Sequence, residues 1–131
     1  MASRIKAVNA YAPKIKLGKR VEMGDLVAFI ARGTGLNESS VRQVLLELRD
    51  AVLFFTLQGQ PVKLEGLGTY TPTIDLAGEL GIGHRADIAL KNGLNVPGKF
   101  RGEIIHHENL GKTSDELVAL WNAEHPEDPV S

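Results

Sequence analysis

The chain contains no cysteine among its 131 residues. Disulfide bonds, thiolate metal sites and cysteine nucleophiles are therefore excluded. None of its apolar runs reaches the roughly 18 residues that indicate a membrane-spanning helix. The first residues, from Met1 to Lys6, lack the apolar stretch of a secretory signal. We therefore expect one domain with short extensions, located in the cytoplasm and without a membrane partner.

The chain also lacks an excess of charge of either sign, since its formal net charge is −1. A balanced charge does not by itself indicate a nucleic-acid-binding protein. The two ends nevertheless differ. Residues 1–20 carry six basic side chains and no acidic one, whereas residues 103–131 carry seven acidic side chains and one lysine. This asymmetry indicates either a basic arm with an acidic tail or two solvated ends that keep the protein soluble.

A catalytic or metal-binding constellation is missing as well. His106 and Glu108 are spaced to share one face of a strand, but zinc usually takes three or four ligands. Ser39 and Ser40 have no nearby base and are expected to cap a helix. The glycines around Gly81 lack the spacing of a phosphate-binding loop. We therefore expect no enzyme, no metal, no cofactor and no small-molecule substrate.

Three helices are predicted from apolar periodicity and capping residues. The first spans residues 23–32 and ends at the glycines that follow it. The second begins after Asn37, a good N-cap, and ends at Gly59. The third follows Thr113, which opens a Thr-x-x-Glu capping box, and ends before Pro126. Trp121 shares an apolar face of this last helix with two leucines and is expected in the core.

Short strands are predicted where polar and apolar residues alternate or β-formers cluster, over residues 14–17, 61–65, 69–76 and 87–90. Residues 77–85 contain three glycines, which predicts a flexible turn. Asn92-Gly93 is a strong turn signal. Residues 100–105 are compatible with a further strand or a short helical turn.

The second helix is apolar on two faces, and a helix of this kind must bury both. Either the chain's own sheet wraps the helix, or one face meets a second subunit. We favour a homodimer, because a monomer would expose the second stripe as an apolar patch. The residues expected in the interface are Leu46, Leu53, Phe54 and Leu57.

Three stretches of the chain follow one another as a helix linker, a hairpin and a strand end. They are Thr34-Gly35-Leu36-Asn37, Gly59-Gln60-Pro61-Val62-Lys63-Leu64-Glu65-Gly66-Leu67-Gly68-Thr69-Tyr70 and Asn95-Val96-Pro97-Gly98-Lys99. Over about residues 22–101 the chain thereby resembles the HU/IHF family of bacterial histone-like proteins. The last stretch is similar to the Pro-Gly-Lys that closes the third strand of that family.

The resemblance implies an α+β fold, in which two N-terminal helices pack on a small antiparallel sheet with a β-arm, followed here by a C-terminal helix. Residues 1–21 would be a basic N-terminal strand or extension, residues 22–105 the HU-like domain, and residues 106–131 an acidic C-terminal helix and tail. The family forms intertwined dimers that bind double-stranded DNA with little sequence preference, mainly through phosphates. The residues then expected to contact DNA are Lys14, Lys16, Lys19, Arg20, His84, Arg85, Lys91, Lys99 and Arg101.

The arm region departs from the family's pattern. Residues 75–96 hold two basic side chains against three acidic ones, and no proline lies between Thr73 and Val96. The family bends DNA with a proline wedge, whereas the apolar candidates here are Leu80 and Ile82 on a glycine-rich tip. We therefore expect DNA binding without a sharp kink. Two functions stay open: a nucleoid-associated DNA-binding homodimer, or an HU-fold interaction module that dimerises but has lost DNA binding.

Overall fold

The structure, a computed structural model, describes residues 2–130, which contain five α-helices and five short strands. In chain order the elements are α1 (Arg4–Tyr11), β1 (Lys14–Lys16), α2 (Met23–Thr34), α3 (Glu38–Leu57), β2 (Val62–Leu64), β3 (Gly68–Ile74), β4 (Leu80–Ala86), α4 (Ile88–Leu94), β5 (Glu103–Ile105), a 3-10 turn (His107–Asn109) and α5 (Ser114–Glu124). The predicted α+β class is confirmed. The chain divides into a central unit, Arg20–Phe100, and a terminal unit that combines the residues up to Lys19 with those from Arg101 onward.

The two long helices of the central unit begin and end at the predicted residues to within two positions. Gly35 adopts the left-handed conformation, with φ of 76°, and ends α2 as its amide donates to the Ala31 carbonyl. Asn37 caps α3, since its side-chain oxygen accepts the Ser40 amide at 2.8 Å. Both helix predictions are confirmed.

The strands of the central unit form one antiparallel sheet in the order β2-β3-β4. The predicted flexible turn over residues 77–85 is wrong, because β4 pairs with β3 along its whole length, from Gly68↔Ala86 to Ile74↔Leu80. Backbone hydrogen bonds hold this ladder, so Gly81 and Gly83 do not interrupt it. The connection is a short turn closed by Asp75, whose carboxylate accepts the amides of Ala77 and Glu79 at 2.9 Å each.

The segment after β4 is helical, so the predicted strand over residues 87–90 is also wrong. Asp87 is the N-cap of α4, and its side chain accepts the Ala89 amide at 2.8 Å. The predicted Asn92-Gly93 turn therefore lies inside a helix. Pro97-Gly98-Lys99 follow this helix and do not close a strand, which corrects their proposed place in the fold.

The terminal unit contains a helix that the periodicity analysis missed, α1, capped by the Ser3 hydroxyl at 3.1 Å from the Lys6 amide. Strand β1 lies within the predicted segment 14–17 and pairs with β5, with Ile15 opposite Ile104. Helix α5 begins at the predicted cap, where the Glu116 amide donates to the Thr113 hydroxyl at 3.2 Å. Trp121 is buried against Ala2 and Ala7 in the core, as predicted.

Candidate nucleic-acid interface

The sheet of the central unit has two chemically different faces, which its register defines. Paired residues of an antiparallel sheet point to the same side, and successive residues of a strand alternate. Val62 is opposite Tyr70, which is opposite His84, so these three share what we call the inner face. The next row, formed by Lys63, Thr69 and Arg85, points to the opposite side, the outer face.

The outer face is polar and carries positive charge only. Beyond the Lys63–Thr69–Arg85 row, Thr71 is opposite Gly83 and Thr73 is opposite Gly81. Neighbouring strands lie roughly 4.8 Å apart, which places the backbones of Lys63 and Arg85 about 10 Å from each other. The strands of this face carry two cations and several hydroxyl groups but no carboxylate. Such a surface is suited to binding phosphate oxygens.

The inner face lies against α3 and leaves an apolar groove of about 570 Å³, whose walls are lined by Leu45, Leu48, Arg49, Val52, Leu53, Leu64, Leu67, Tyr70 and Ile82. A second groove, of about 380 Å³, continues toward the hairpin tip between Leu57 and Pro72. Leu53 and Ile82 line both. Apolar surface on this scale is typical of a site that another apolar surface covers.

The residues expected in a dimer interface are all exposed in the single chain. The exposed fraction is 39% for Leu46, 52% for Leu53, 58% for Phe54 and 70% for Leu57. Leu53 and Leu57 line the grooves, and the Phe54 ring meets the Phe55 ring edge to face at 5.3 Å. The interface itself stays a prediction.

The basic residues expected to contact DNA fall into both units. In the terminal unit, Lys14 and Lys16 lie on β1, and Lys16 is 3.6 Å from Glu103. Lys19 ends this N-terminal segment, and Arg101 opens the C-terminal one. In the central unit, Arg20 pairs with Glu22 at 2.9 Å. The N-terminal cations are thus partly neutralised by neighbouring carboxylates.

Helix α1 is engaged by the acidic C-terminal helix. Arg4 forms an ion pair with Asp115, and the Lys6 ammonium lies 5.5 Å from the Trp121 ring centroid. Tyr11 donates a hydrogen bond to Glu124 at 2.6 Å, and this bond raises the pKa of the Tyr11 hydroxyl above its usual value. The basic and acidic ends therefore contact each other.

His84 and Arg85 are separated by the pleat of β4, although both were expected to contact DNA. His84 lies in strand β4 and not on a turn; its side chain is exposed, and its ring packs on the inner-face Tyr70 ring with centroids 4.5 Å apart. Lys91 is in the last turn of α4, and Lys99 follows that helix. Lys63 was missed, although the alternation Val62-Lys63-Leu64 already placed it opposite the apolar face.

The apolar residue exposed at the hairpin tip is not one of those expected there. Leu80 and Ile82 were the wedge candidates, but both line a groove on the inner face. Leu76, at the turn itself, is fully exposed and was overlooked. The tip also carries Asp75 and Glu79, which repel phosphates.

Among residues 2–130, no group of three or more histidine, aspartate or glutamate side chains is placed to hold a metal ion. His106 and Glu108 approach to 3.7 Å as a pair. Nor is any helix in this part of the chain long and apolar enough to span a bilayer.

Comparison with known proteins gives one positive finding. No curated protein matches the chain with significant similarity. A family model described as an HU domain fused to wHTH, Ig or a glycine-rich motif matches residues 3–89, which include α1, β1, both long helices and the complete three-stranded sheet. Because the match covers most of the chain, the protein belongs to this HU-domain family.

Proposed function

We propose that the protein is a non-enzymatic, homodimeric DNA-binding protein that contacts the phosphates of double-stranded DNA with little sequence preference. Its site of action would be the nucleoid, in the bacterial cytoplasm. The observation that carries the proposal is the two-faced sheet of an HU-domain chain: an apolar inner face beside a cationic, carboxylate-free outer face.

The homodimer is supported by how little the central unit buries. Within residues 20–100, all of which the structure describes, the buried residues are Val27, Val41, Thr56 and Gly68. An 81-residue folding unit needs a larger apolar core than this to offset its conformational entropy. A second copy seated in the grooves along α3 would supply the missing apolar packing.

Phosphate binding is supported by the chemistry of the outer face. Lysine, arginine and threonine side chains are typical donors to phosphate oxygens, and contacts to phosphates carry no sequence information. No amide side chain that would recognise a base edge lies on the strands of this face. In a dimer the Lys63–Thr69–Arg85 row would occur twice, which doubles the number of phosphates within reach.

The proposal includes DNA binding without a sharp kink. A kink needs an apolar wedge and cations that hold both flanks, since unstacking costs a few kcal/mol per base step. The turn is closed tightly by Asp75, and its acidic side chains oppose the approach of phosphates. Energy transfer between labelled duplex ends should therefore change little on binding. A large increase that Leu76→Ser removes would show that the tip does act as a wedge.

A second function is supported by a specific observation. Arg4, Lys16 and Arg20 all pair with carboxylates, which leaves fewer cations for DNA than the sequence offers. The alternative is an HU-fold interaction module that dimerises and does not bind DNA. This alternative predicts the same mass in solution and no binding to duplex DNA even at low salt.

Fluorescence anisotropy with two short duplexes of unrelated sequence, over a series of salt concentrations, separates these functions. We expect equal affinity for both duplexes and a steep salt dependence. Replacing Lys63 and Arg85 by glutamine should weaken binding and reduce the slope of log affinity against log salt by about 0.9 for each phosphate that is no longer neutralised. Lys112→Gln, in the terminal unit, is the matched control and should bind as the wild type does. An unchanged slope in the double variant would place the DNA-binding surface elsewhere.

A further inference from the structure

Opposite charges from the two ends of the chain meet in two ion pairs within the terminal unit. In the β1–β5 ladder, Lys16 lies directly opposite Glu103, with its Nζ 3.6 Å from a carboxylate oxygen. On the helices, Arg4 of α1 forms an ion pair with Asp115 of α5. Two cations of the basic N-terminal segment are therefore held by carboxylates of the acidic C-terminal segment.

Both ion pairs lie at the surface, where solvent and phosphates can reach them. The Lys16 and Glu103 side chains are 64% and 69% exposed, and those of Arg4 and Asp115 are 53% and 85% exposed. An exposed pair changes an equilibrium constant by no more than about fivefold, because water and salt screen the attraction. DNA presents a dense row of phosphates to such cations. A phosphate can therefore take the place of either carboxylate.

Strand β1 contains an internal comparison for this exchange. Lys14 and Lys16 are two residues apart and point to the same face of the strand. Lys16 is opposite Glu103, whereas Lys14 is opposite Ile105, which has no charge. The two lysines thus share a strand and a face but differ in the residue across the ladder. A phosphate that binds Lys14 has no cross-strand carboxylate to displace.

We propose that the C-terminal segment restrains DNA binding by the terminal unit, because Glu103 and Asp115 compete with DNA phosphates for Lys16 and Arg4. This inference rests on the proposed binding of double-stranded DNA and adds a second cationic surface to it. Ala7 and Trp121 hold α1 against α5 in the buried core, so the ion pairs can exchange without unfolding. A cation that is paired with a carboxylate neutralises fewer phosphates, so the competition lowers both the affinity and its salt dependence.

Fluorescence anisotropy of the full chain with a short duplex, over a series of salt concentrations, tests the competition. Glu103→Gln should raise the affinity about two- to fivefold at low salt, the effect of one surface ion pair. It should also steepen the slope of log affinity against log salt by up to about 0.9, since one further phosphate is neutralised. The gain should disappear in the double variant Lys16→Gln/Glu103→Gln. Lys14→Gln should weaken binding by the wild type more than Lys16→Gln does.

The second ion pair is tested in the same way. Asp115→Asn should raise the affinity by a similar factor, and the gain should disappear when Arg4→Gln is added. Glu127→Gln is the matched control, since it removes one negative charge from an exposed C-terminal side chain that belongs to neither pair. It should change the affinity far less and leave the slope unchanged. The fluorescence of Trp121, the single tryptophan, should stay constant if the unit keeps its core.

The outcomes distinguish this inference from the function on which it rests. If Glu103→Gln and Asp115→Asn raise the affinity no more than Glu127→Gln does, the competition is overturned and DNA binding by the central unit stands. The same holds if the gains survive the loss of Lys16 and Arg4. If neither the wild type nor any of these variants binds the duplex even at low salt, the proposed function is overturned as well.

Discussion

The terminal and central units of this chain bury apolar side chains in opposite ways. The terminal unit is the smaller, yet it encloses Ala2, Ala7, Leu117 and Trp121, and the Trp121 indole donates to the Asp128 carbonyl at 2.7 Å. The central unit spans 81 residues and leaves most of the apolar surface of α3 open to solvent. The helices of the central unit are capped and its strands are paired. Its small apolar core is therefore not caused by incomplete secondary structure. This difference supports the proposal that the central unit completes its core with a second copy, whereas the terminal unit encloses its core within one chain.

The largest effect on the terminal unit should come from Trp121→Ala. Removing a buried aromatic side chain costs about 3–5 kcal/mol, because its packing energy disappears and a cavity remains. The indole also holds the C-terminal segment through Asp128. We expect local unfolding in this unit, visible by hydrogen exchange in α1 and α5, while the dimer persists. If this variant no longer dimerised, the expectation that the dimer does not depend on the core of the terminal unit would be wrong.

Gly68→Ala should have the next largest effect, and it acts on the central unit. Gly68 has φ of 155°, and a methyl group there would meet the Arg85 carbonyl oxygen at 2.5 Å. Backbone strain of this kind costs of order 1–3 kcal/mol, and displacement of β4 would add to it. Chemical denaturation should show reduced stability of the dimer. Gly83→Ala is the control, since a Cβ there lies at ordinary van der Waals distances from its neighbours, and it should change stability far less.

Thr113→Ala should cost about 1 kcal/mol, the usual value of an N-cap. The threonine hydroxyl accepts the Glu116 amide at the start of α5. The loss of stability should be confined to the terminal unit, again measured by hydrogen exchange. Ser114→Ala, one residue later, removes a hydroxyl without removing the cap and should be close to neutral.

The smallest effect concerns Tyr11 and its pH dependence. The hydrogen bond to Glu124 raises the folded-state pKa of the exposed Tyr11 hydroxyl above its unfolded value. The stability that it contributes is therefore present below about pH 10 and is lost as the pH rises through the folded pKa. Tyr11→Phe should lower the thermal midpoint slightly at neutral pH and not at all in strongly alkaline solution. An equal decrease of the thermal midpoint at both pH values would mean that the hydrogen bond between Tyr11 and Glu124 does not cause the decrease.

Segments that are long, periodic and capped could be predicted from the sequence. Helices α2, α3 and α5 have apolar repeats over several turns, and Asn37 and Thr113 mark where two of them begin. The failures are helix α1, which was missed, and the segment between residues 77 and 99. Glycines at alternate positions of β4 removed the alternation that indicates a strand, and the cap at Asp87 was followed by too few residues for a helical period to emerge.

The residue types of the candidate site could be predicted from the sequence, but the face of the sheet on which each residue lies could not. Arg85 was expected from the family resemblance, and the apolar residues of α3 were identified from their helical spacing. Which face each strand residue occupies depends on the register between β3 and β4, and that register was hidden by the segment interpreted as a turn. His84 was consequently grouped with Arg85. Lys63 was overlooked for a different reason, since the alternation in β2 already placed it opposite the apolar face.

In the proposed dimer, the inner face of the sheet joins two chains while the outer face remains free. Sedimentation equilibrium on the wild type, Ile82→Asp and Thr71→Asp tests it most directly, since both positions are exposed strand residues of one hairpin that point to opposite faces. We predict that the wild type and Thr71→Asp have twice the 14.2 kDa mass of the chain, whereas Ile82→Asp is monomeric or unfolded because it places a charge in the covered groove. A stably folded wild-type monomer of 14.2 kDa, or three proteins of identical mass, would contradict the account.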